Sequence, residues 1–187
     1  MQTISQDSTT GLILAGGQGS RIGGKDKGLI RVAGQLLIAS VKERFSPQVD
    51  SLVISCNRNL DQYAAFASQL VGDDLPDYQG PLAGIQACSG LLETPLLAVV
   101  PCDAPDLPRD LVSRLRMGLK PETDAAYAHD GSRPQYLFAI VRQRALPKVH
   151  GYLEKGERSM RGWYSQLNTV EVDFSDQPDA FTNINNQ

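Results

Sequence analysis

The stretch Gly11-Leu-Ile-Leu-Ala-Gly-Gly-Gln-Gly-Ser-Arg-Ile-Gly-Gly-Lys-Asp-Lys27 decides how this chain is read, because an apolar run passes directly into a glycine-rich, cation-bearing turn. Leu12 to Leu14 form a short continuous apolar segment, the pattern of a strand buried on both faces, and Ala15 to Gly17 end it. Five glycines between Gly16 and Gly24 remove the Cβ atoms that would keep a ligand off the backbone, so main-chain N–H groups can close on an anion. Arg21, Lys25 and Lys27 add positive charge to the same segment. The combination predicts a phosphate-gripping loop. A plain surface connection is the alternative.

Two phosphate motifs nearly fit and fail on chemistry. Gly19-x-x-x-x-Gly24-Lys25 follows a Walker A loop until the next position, where a hydroxyl should reach Mg²⁺ and this chain places the carboxylate of Asp26. The dinucleotide fingerprint begins at Gly17-x-Gly19 but meets Ile22 where a small residue is needed, and no strand-borne acid follows at the usual distance.

Outward from the loop, Gly28 to Gly34 reads as a short extended piece, and Leu37, Ile38, Val41 and Phe45 recur at helical spacing until Pro47. Leu52 to Ser55 predicts a second strand, Tyr63, Phe66, Ala67 and Leu70 a helix after it, and Val71-Gly-Asp73-Asp74 the close of a short third strand. A helix opened by Pro81 carries Leu82, Ile85, Cys88 and Leu92; Leu96 to Val100 is a wholly apolar strand; Leu111, Val112, Leu115 and Leu119 mark the next helix. The last third is less regular, with strands at Ala125 to His129 and Tyr136 to Val141 around an Asp130-Gly131 turn. Helices at Leu146 to Leu153 and around Met160, Trp163, Tyr164 and Leu167 follow, then a strand at Val170 to Phe174. Alternation of this kind predicts a single-domain α/β protein with a mainly parallel Rossmann-like sheet, ligands lying over the carboxyl ends of its strands. Residues 1–10 read as a flexible segment and 11–187 as a single domain, the more strongly patterned part running over about 11–120 and the less regular part over about 121–187.

At 187 residues, 41% hydrophobic and 21% charged, the composition is that of an ordinary soluble domain. A net charge of −3 argues against nucleic acid as the main partner. Cys56, Cys88 and Cys102 lack the paired spacing of a zinc site or a disulfide framework and read as reduced core thiols. No run reaches the ~18 apolar residues of a membrane span, which predicts a cytoplasmic protein without membrane contact.

Asp103 is the strongest candidate for chemistry outside the loop. It follows the apolar strand at Leu96 to Val100, which places a hard oxygen ligand at the carboxyl edge of the sheet, and Mg²⁺ is commonly held by one or two carboxylates plus substrate phosphates. A strand-end turn former is the alternative. Asp106 reads as a cap for the following helix. His129 and His150 carry no partner motif, and Trp163 shares helical spacing with Met160 and Leu167, which favours core packing over stacking on a ligand.

The string Leu14-Ala-Gly-Gly-x-Gly-Ser-Arg21-Ile-Gly-Gly-x-Asp-Lys27-Gly resembles the signature loop of nucleotidyltransferases that join a nucleoside monophosphate to a phosphorylated acceptor, and most of all the molybdenum cofactor guanylyltransferases. Asn57-Arg58, Asp73, Gly80-Pro-Leu-Ala-Gly84, Pro101-Cys-Asp103-Ala-Pro105, Tyr152-Leu-x-x-Gly156-Glu-Arg158, Asp173-Phe-Ser-Asp176 and Asn183-Ile-Asn185 fall in the order that family shows. The resemblance implies a three-layer αβα sandwich of the nucleotide-diphospho-sugar transferase type, and transfer of GMP from GTP to Mo-molybdopterin. It further implies Mg²⁺ and partner proteins that deliver or accept the cofactor. By the same resemblance Leu14, Ala15, Gly16, Lys27, Asp73 and Asp103 hold the guanine nucleotide, Asp103 also the metal. Arg21, Gly24, Gly84, Asn183 and Asn185 belong to the wider site, the later ones toward the pterin. Arg21 and Lys27 would grip the phosphates.

Three positions depart from the pattern. The nucleotide-contacting position after the second strand, often Asn in relatives, is Ser55; Ser159 stands where a second Arg is common, with Arg161 two residues on; and relatives continue past the Asn-x-Asn motif, whereas this sequence stops at Gln187. The rival readings are a cytidylyl- or sugar-1-phosphate nucleotidyltransferase of the same fold, and a non-catalytic GTP-binding module.

Overall fold

In the computed structural model, which describes residues 5–17, 26–72 and 80–184, the first strand, β1 (Thr9–Leu14), lies inside the sheet. Its apolar side chains alternate between two cores, Leu12 on one face and Ile13 on the other, each fully buried. Thr9 and Thr10, which the sequence assigned to a flexible segment, are its first two residues and are themselves buried. Their polar groups are satisfied across the sheet: Thr9 N–H donates to Asp50 Oδ2 at 2.7 Å and Thr10 N–H to Thr94 Oγ1 at 3.0 Å.

Past the glycine-rich loop a 3-10 turn at Lys27–Leu29 leads into the hairpin β2 (Arg31–Val32) and β3 (Gln35–Leu36). Its two connecting residues, Ala33 and Gly34, both have positive φ, as a tight hairpin requires. The next elements are α1 (Leu37–Phe45), β4 (Ser51–Ser55), α2 (Leu60–Tyr63), β5 (Gln69–Val71), α3 (Pro81–Ser89) and β6 (Leu96–Pro101). After these come α4 (Leu111–Gly118), β7 (Ala125–His129), β8 (Pro134–Arg142), α5 (Pro147–Glu154), α6 (Met160–Tyr164) and β9 (Thr169–Asp173).

Seven strands form one sheet in the order β5-β4-β1-β6-β8-β7-β9. Every pairing is parallel except those of β8, which runs against both β6 and β7. One face is covered by α1 and α4 through Ile38, Val41, Phe45, Leu111, Val112 and Leu115. The other is covered by α3, α5 and α6 through Leu82, Ile85, Val149, Tyr152 and Trp163. This is the mainly parallel α/β sheet that the alternating pattern predicts, in the three-layer arrangement that the resemblance implies. The reversal at β8 brings its start, Pro134, to the same edge as the end of β6.

Several local expectations change, and Leu119 and Leu167 lie just past the ends of α4 and α6. The helix read from Tyr63, Phe66, Ala67 and Leu70 is a single turn ending at Tyr63, and Leu70 belongs to β5, where it pairs with Ile54 of β4. Leu92 lies beyond the end of α3, though it is buried. Asp106 does not cap α4, whose N-cap residue is Asp110; it pairs instead with Arg44 at 3.2 Å. The core readings of the thiols and of Trp163 hold: Cys56, Cys88 and Cys102 are free and buried, and Trp163 is fully enclosed.

Candidate active site

The carboxyl ends of β1, β4 and β6 meet in a seam of main-chain hydrogen bonds. Leu14 C=O accepts from Cys102 N–H at 3.1 Å, and Ala15 N–H donates to Ser55 C=O at 2.8 Å, so the residues entering the glycine-rich loop are held between both neighbouring strands. Asn57 and Arg58, just past β4, support the next two: Asn57 Nδ2 donates to Gly16 C=O and Arg58 Nη2 to Gly17 C=O, each at 3.4 Å. In the sequence these two stand out only through their place in the family's order of motifs. Ser55 is 1% exposed and sits beneath Gly16 and Gly84. A Cβ on Gly84 would lie 2.5 Å from Ser55 Oγ and 2.9 Å from Leu14 Cδ2, so α3 can approach β1 and β4 this closely only with glycine there.

The other end of the loop is fixed from below. Asp26 turns inward and is buried; its carboxylate accepts from the Tyr63 hydroxyl and from Asn59 Nδ2 at 3.1 Å, with Arg58 Nε 3.7 Å away. Burial and the hydrogen bond to Asp26 both raise the Tyr63 phenol, so it stays protonated and donates. A Cβ on Gly28 would fall 2.5 Å from the Tyr63 oxygen, so the glycine lets the chain lie directly against it. This arrangement presents Lys27 to the opposite wall. Its ammonium lies 2.6 Å from Asp103 Oδ2, joining the two residues in which the sequence concentrated the chemistry.

Asp103 itself is 7% exposed, and its second oxygen, Oδ1, is buried without a hydrogen-bond partner among the described residues. A buried, unpartnered carboxylate oxygen costs free energy unless something positive meets it. Among the described residues no group of three or more His, Cys, Asp or Glu gathers to hold a metal. One carboxylate at a phosphate-binding edge is nevertheless the donor set a magnesium–nucleotide takes, the remaining ligands being phosphates and water. Asp103 fits that role. Its carbonyl also accepts from Ile184 N–H at 2.8 Å, which brings Asn183 to the same edge. Ser159, where relatives often place Arg, caps α6 by accepting from Gly162 N–H. Arg21, Gly24, Asp73 and Asn185 lie outside the described residues.

A cavity of about 340 Å³ opens between the end of β6 and the start of β8, with Pro81 of α3 also in its wall. Pro101, Phe138 and Met160 give it apolar walls, and Arg133, Gln135 and Asn183 supply its polar groups. The β7–β8 connection beside it is organised by Asp130, 8% exposed. Asp130 Oδ1 accepts from Ser132 N–H at 2.7 Å, Ser132 Oγ at 2.7 Å and Arg133 N–H at 2.8 Å, and Oδ2 from Gln135 Nε2 at 2.6 Å. Burial alone would raise the Asp130 carboxyl, but the bonds from Ser132, Gln135 and Arg133 outweigh it and hold the group well below the usual carboxylate range.

The sequence pattern of the MobA-like NTP transferase domain matches residues 11–170. The chain belongs to this family. Among curated relatives, the molybdenum cofactor guanylyltransferase of Photobacterium profundum is 44% identical over 181 residues, covering 97% of this chain and 93% of the relative. That of Vibrio cholerae is 43% identical over 185 residues, covering 99% and 91%. In fold the chain is similar to the molybdopterin-guanine dinucleotide biosynthesis protein A from Archaeoglobus fulgidus, with a TM-score of 0.78, 24% identity and coverage of 94% of this chain and 92% of that one. It also resembles a CMP:2-keto-3-deoxy-manno-octonic acid synthetase complexed with CTP, at a TM-score of 0.66, 16% identity and coverage of 89% and 90%. The MobA-like assignment therefore rests on sequence over nearly the whole chain, and the wider transferase likeness on fold.

Proposed function

We propose that this chain is a molybdenum cofactor guanylyltransferase, transferring GMP from GTP to the terminal phosphate of Mo-molybdopterin and releasing pyrophosphate. The observation that carries the reading, given the family, is the Lys27–Asp103 pair: a cation and a carboxylate set face to face where the glycine-rich loop meets the end of β6. A module that only bound nucleotide would have no need of a buried carboxylate at that place.

The acceptor is a phosphate monoester, already anionic near neutral pH, so no side chain has to remove a proton from the nucleophile. What remains is positioning, and neutralisation of charge at the α-phosphate and the departing pyrophosphate. The Leu14 to Gly16 backbone, with Asp73, would hold the nucleoside, and Gly84 keeps α3 close enough to complete that wall. Ser55 would act from beneath the loop. Arg21 and Lys27 would grip the phosphates, Lys27 with a positive charge whose position Asp26 and Tyr63 set, and Gly24 would belong to the wider site. Asn183 and Asn185 would belong to the acceptor side of the site. Mg²⁺, held by Asp103 and the phosphates, would supply further neutralisation of the triphosphate. In this reading the protein works in the cytoplasm, and proteins that deliver the pterin or take up the finished cofactor are its partners.

The test is to incubate the protein separately with MgGTP, MgATP, MgCTP and MgUTP in the presence of Mo-molybdopterin and to identify the dinucleotide by mass. GTP should be the preferred donor, because a pocket of hydrogen-bonding groups leaves polar atoms unpaired around the wrong base. Comparable product from CTP would make the chain a cytidylyltransferase of the same fold. No product from any triphosphate would favour the binding module.

A further inference from the structure

We propose that Gln135 recognises the pterin ring of the acceptor, and that Asp130 is the positioning residue that fixes which end of the Gln135 amide the pterin meets. The inference rests on the guanylyltransferase reading and adds to it the residues that choose the acceptor.

A glutamine amide has one accepting and one donating end, and a free side chain presents either. Gln135 is not free in this sense. A carboxylate can only accept, so the 2.6 Å contact to Asp130 Oδ2 must use the amide's Nε2–H. The amide oxygen, Oε1, is then the end not committed to Asp130, on a residue that lines the 340 Å³ cavity. Three further hydrogen bonds tie the Asp130 carboxylate to Ser132 and Arg133, so it cannot rotate away without breaking them. Its depressed ionisation keeps it an acceptor throughout the physiological range. A residue that lines the cavity thus has an amide oxygen of fixed orientation.

The matching ligand is a flat heterocycle with N–H donors along one edge. The 2-amino-4-oxo-pyrimidine edge of a pterin is such a donor edge, and Pro101, Phe138 and Met160 offer apolar surface to the rest of the ring. Guanine carries the same edge, so the side of the sheet decides between them. Ser55, Asn57 and Arg58, which support Gly16 and Gly17, lie on the β4 side of β1, whereas the cavity is lined mainly from the end of β6, the start of β8 and α6, with Pro81 of α3 at its edge. Asp103, at the end of β6, stands between the two regions. A donor nucleotide on one side and a pterin on the other would meet over it.

The experiment measures guanylyl transfer by the full chain with GTP and Mo-molybdopterin varied in turn, for wild type, Gln135→Met, Asp130→Asn and the double variant, with melting temperatures alongside. Methionine keeps the length and bulk of glutamine but has no amide oxygen. An amide at position 130 offers Nδ2–H where the carboxylate accepted, so the Gln135 amide turns over and presents its donor. Losing one hydrogen bond should raise the Michaelis constant for the acceptor roughly tenfold in either single variant, with that for GTP unchanged. The double variant should be no worse than Gln135→Met alone, since a positioning residue has nothing left to position. Quenching of pterin-6-carboxylate fluorescence by each protein provides a binding readout independent of turnover, and should weaken in the same order. Unchanged acceptor constants and pterin binding in Gln135→Met would overturn the inference, with wild-type activity leaving the enzymatic reading intact. A rise in the GTP constant instead would make the cavity a guanine site and overturn it too. A wild-type protein that forms no dinucleotide would sink both readings.

Discussion

Lys27 Nζ and Asp103 Oδ2 lie 2.6 Å apart although 76 positions separate them in sequence, and they are unequally buried: the lysine side chain is 29% exposed, the aspartate side chain 10%. The lysine can reach water if its partner is removed. The aspartate cannot do so without moving the chain.

That asymmetry predicts unequal costs in stability. Lys27→Ala leaves a buried carboxylate without its cation and should lower the melting temperature, by an amount corresponding to about 1–2 kcal/mol once partial exposure is allowed for. Asp103→Asn should melt within roughly 0.5 kcal/mol of wild type, and the double variant should recover most of what Lys27→Ala loses. Equal melting temperatures for the two single variants would overturn the asymmetry, and additive losses in the double variant would mean that the pair contributes nothing in solution.

Catalysis should rank the other way in its dependence on metal. Asp103→Asn keeps the shape of the side chain but removes the negative charge that competes with water for a hard cation, so turnover should fall about a hundredfold or more. Raising Mg²⁺ should restore part of the loss. Lys27→Ala should also be slow, by about 10²–10³, but with no recovery as Mg²⁺ rises. Normal transfer by Asp103→Asn at every Mg²⁺ level would reduce Asp103 to a turn residue.

Below the loop, Gly28 and the Tyr63 hydroxyl compete for one space. Gly28→Ala would put a methyl carbon 2.5 Å from that oxygen, whereas the nearest ring carbon is at 3.2 Å. Gly28→Ala should therefore cost on the order of 1–3 kcal/mol in the wild-type background and clearly less in Tyr63→Phe. Tyr63→Phe alone should cost about 1–2 kcal/mol, because it strips a hydrogen bond from a buried carboxylate. Additive melting shifts in the two variants would show that ring and glycine do not interact.

The thiols give a pH dependence of definite sign. Burial pushes Cys56 and Cys88 from the ordinary 9.0 up to about 11, with Asp26 adding to the effect at Cys56. A raised folded-state value means that their contribution is fully present below about pH 9 and is lost as the pH rises toward 11. Denaturant midpoints should fall over that alkaline window, and less so in Cys88→Ala when compared with its own neutral-pH midpoint. A thiol reagent at neutral pH should label the native protein slowly and all three cysteines once it is unfolded.

The parts of the fold that could be read in the sequence are those where one local pattern dominates. Leu12 to Leu14 and Leu96 to Val100 are apolar without interruption because both faces of a central strand are covered, and the spacing of Leu37, Ile38, Val41 and Phe45 is that of a helix with one buried side. The pattern misled at Leu70, whose distance from Tyr63, Phe66 and Ala67 is helical but whose backbone pairs with Ile54; strand pairing prevailed over periodicity in an edge segment too short to show alternation. In the site, Lys27 and Asp103 were legible because each stands beside a local signature. Asn57, Tyr63, Asp130 and Gln135 were not singled out for the site, since an ordinary Asn, Tyr or Gln acquires its role only from a partner brought close by folding.

The interior place of β1 has a consequence for how the chain is made. Its parallel partners arrive in succession as the ribosome proceeds: β4 flanks one side, and the other waits for β6, where Leu97 comes opposite Thr10. Until β6 has emerged, the nascent polypeptide holds an apolar strand with one ladder of amide and carbonyl groups unpaired, the kind of edge that recruits other strands and aggregates. Fragments ending before Leu96 should therefore be insoluble, whereas those reaching past Pro101 can already close the β5-β4-β1-β6 half of the sheet.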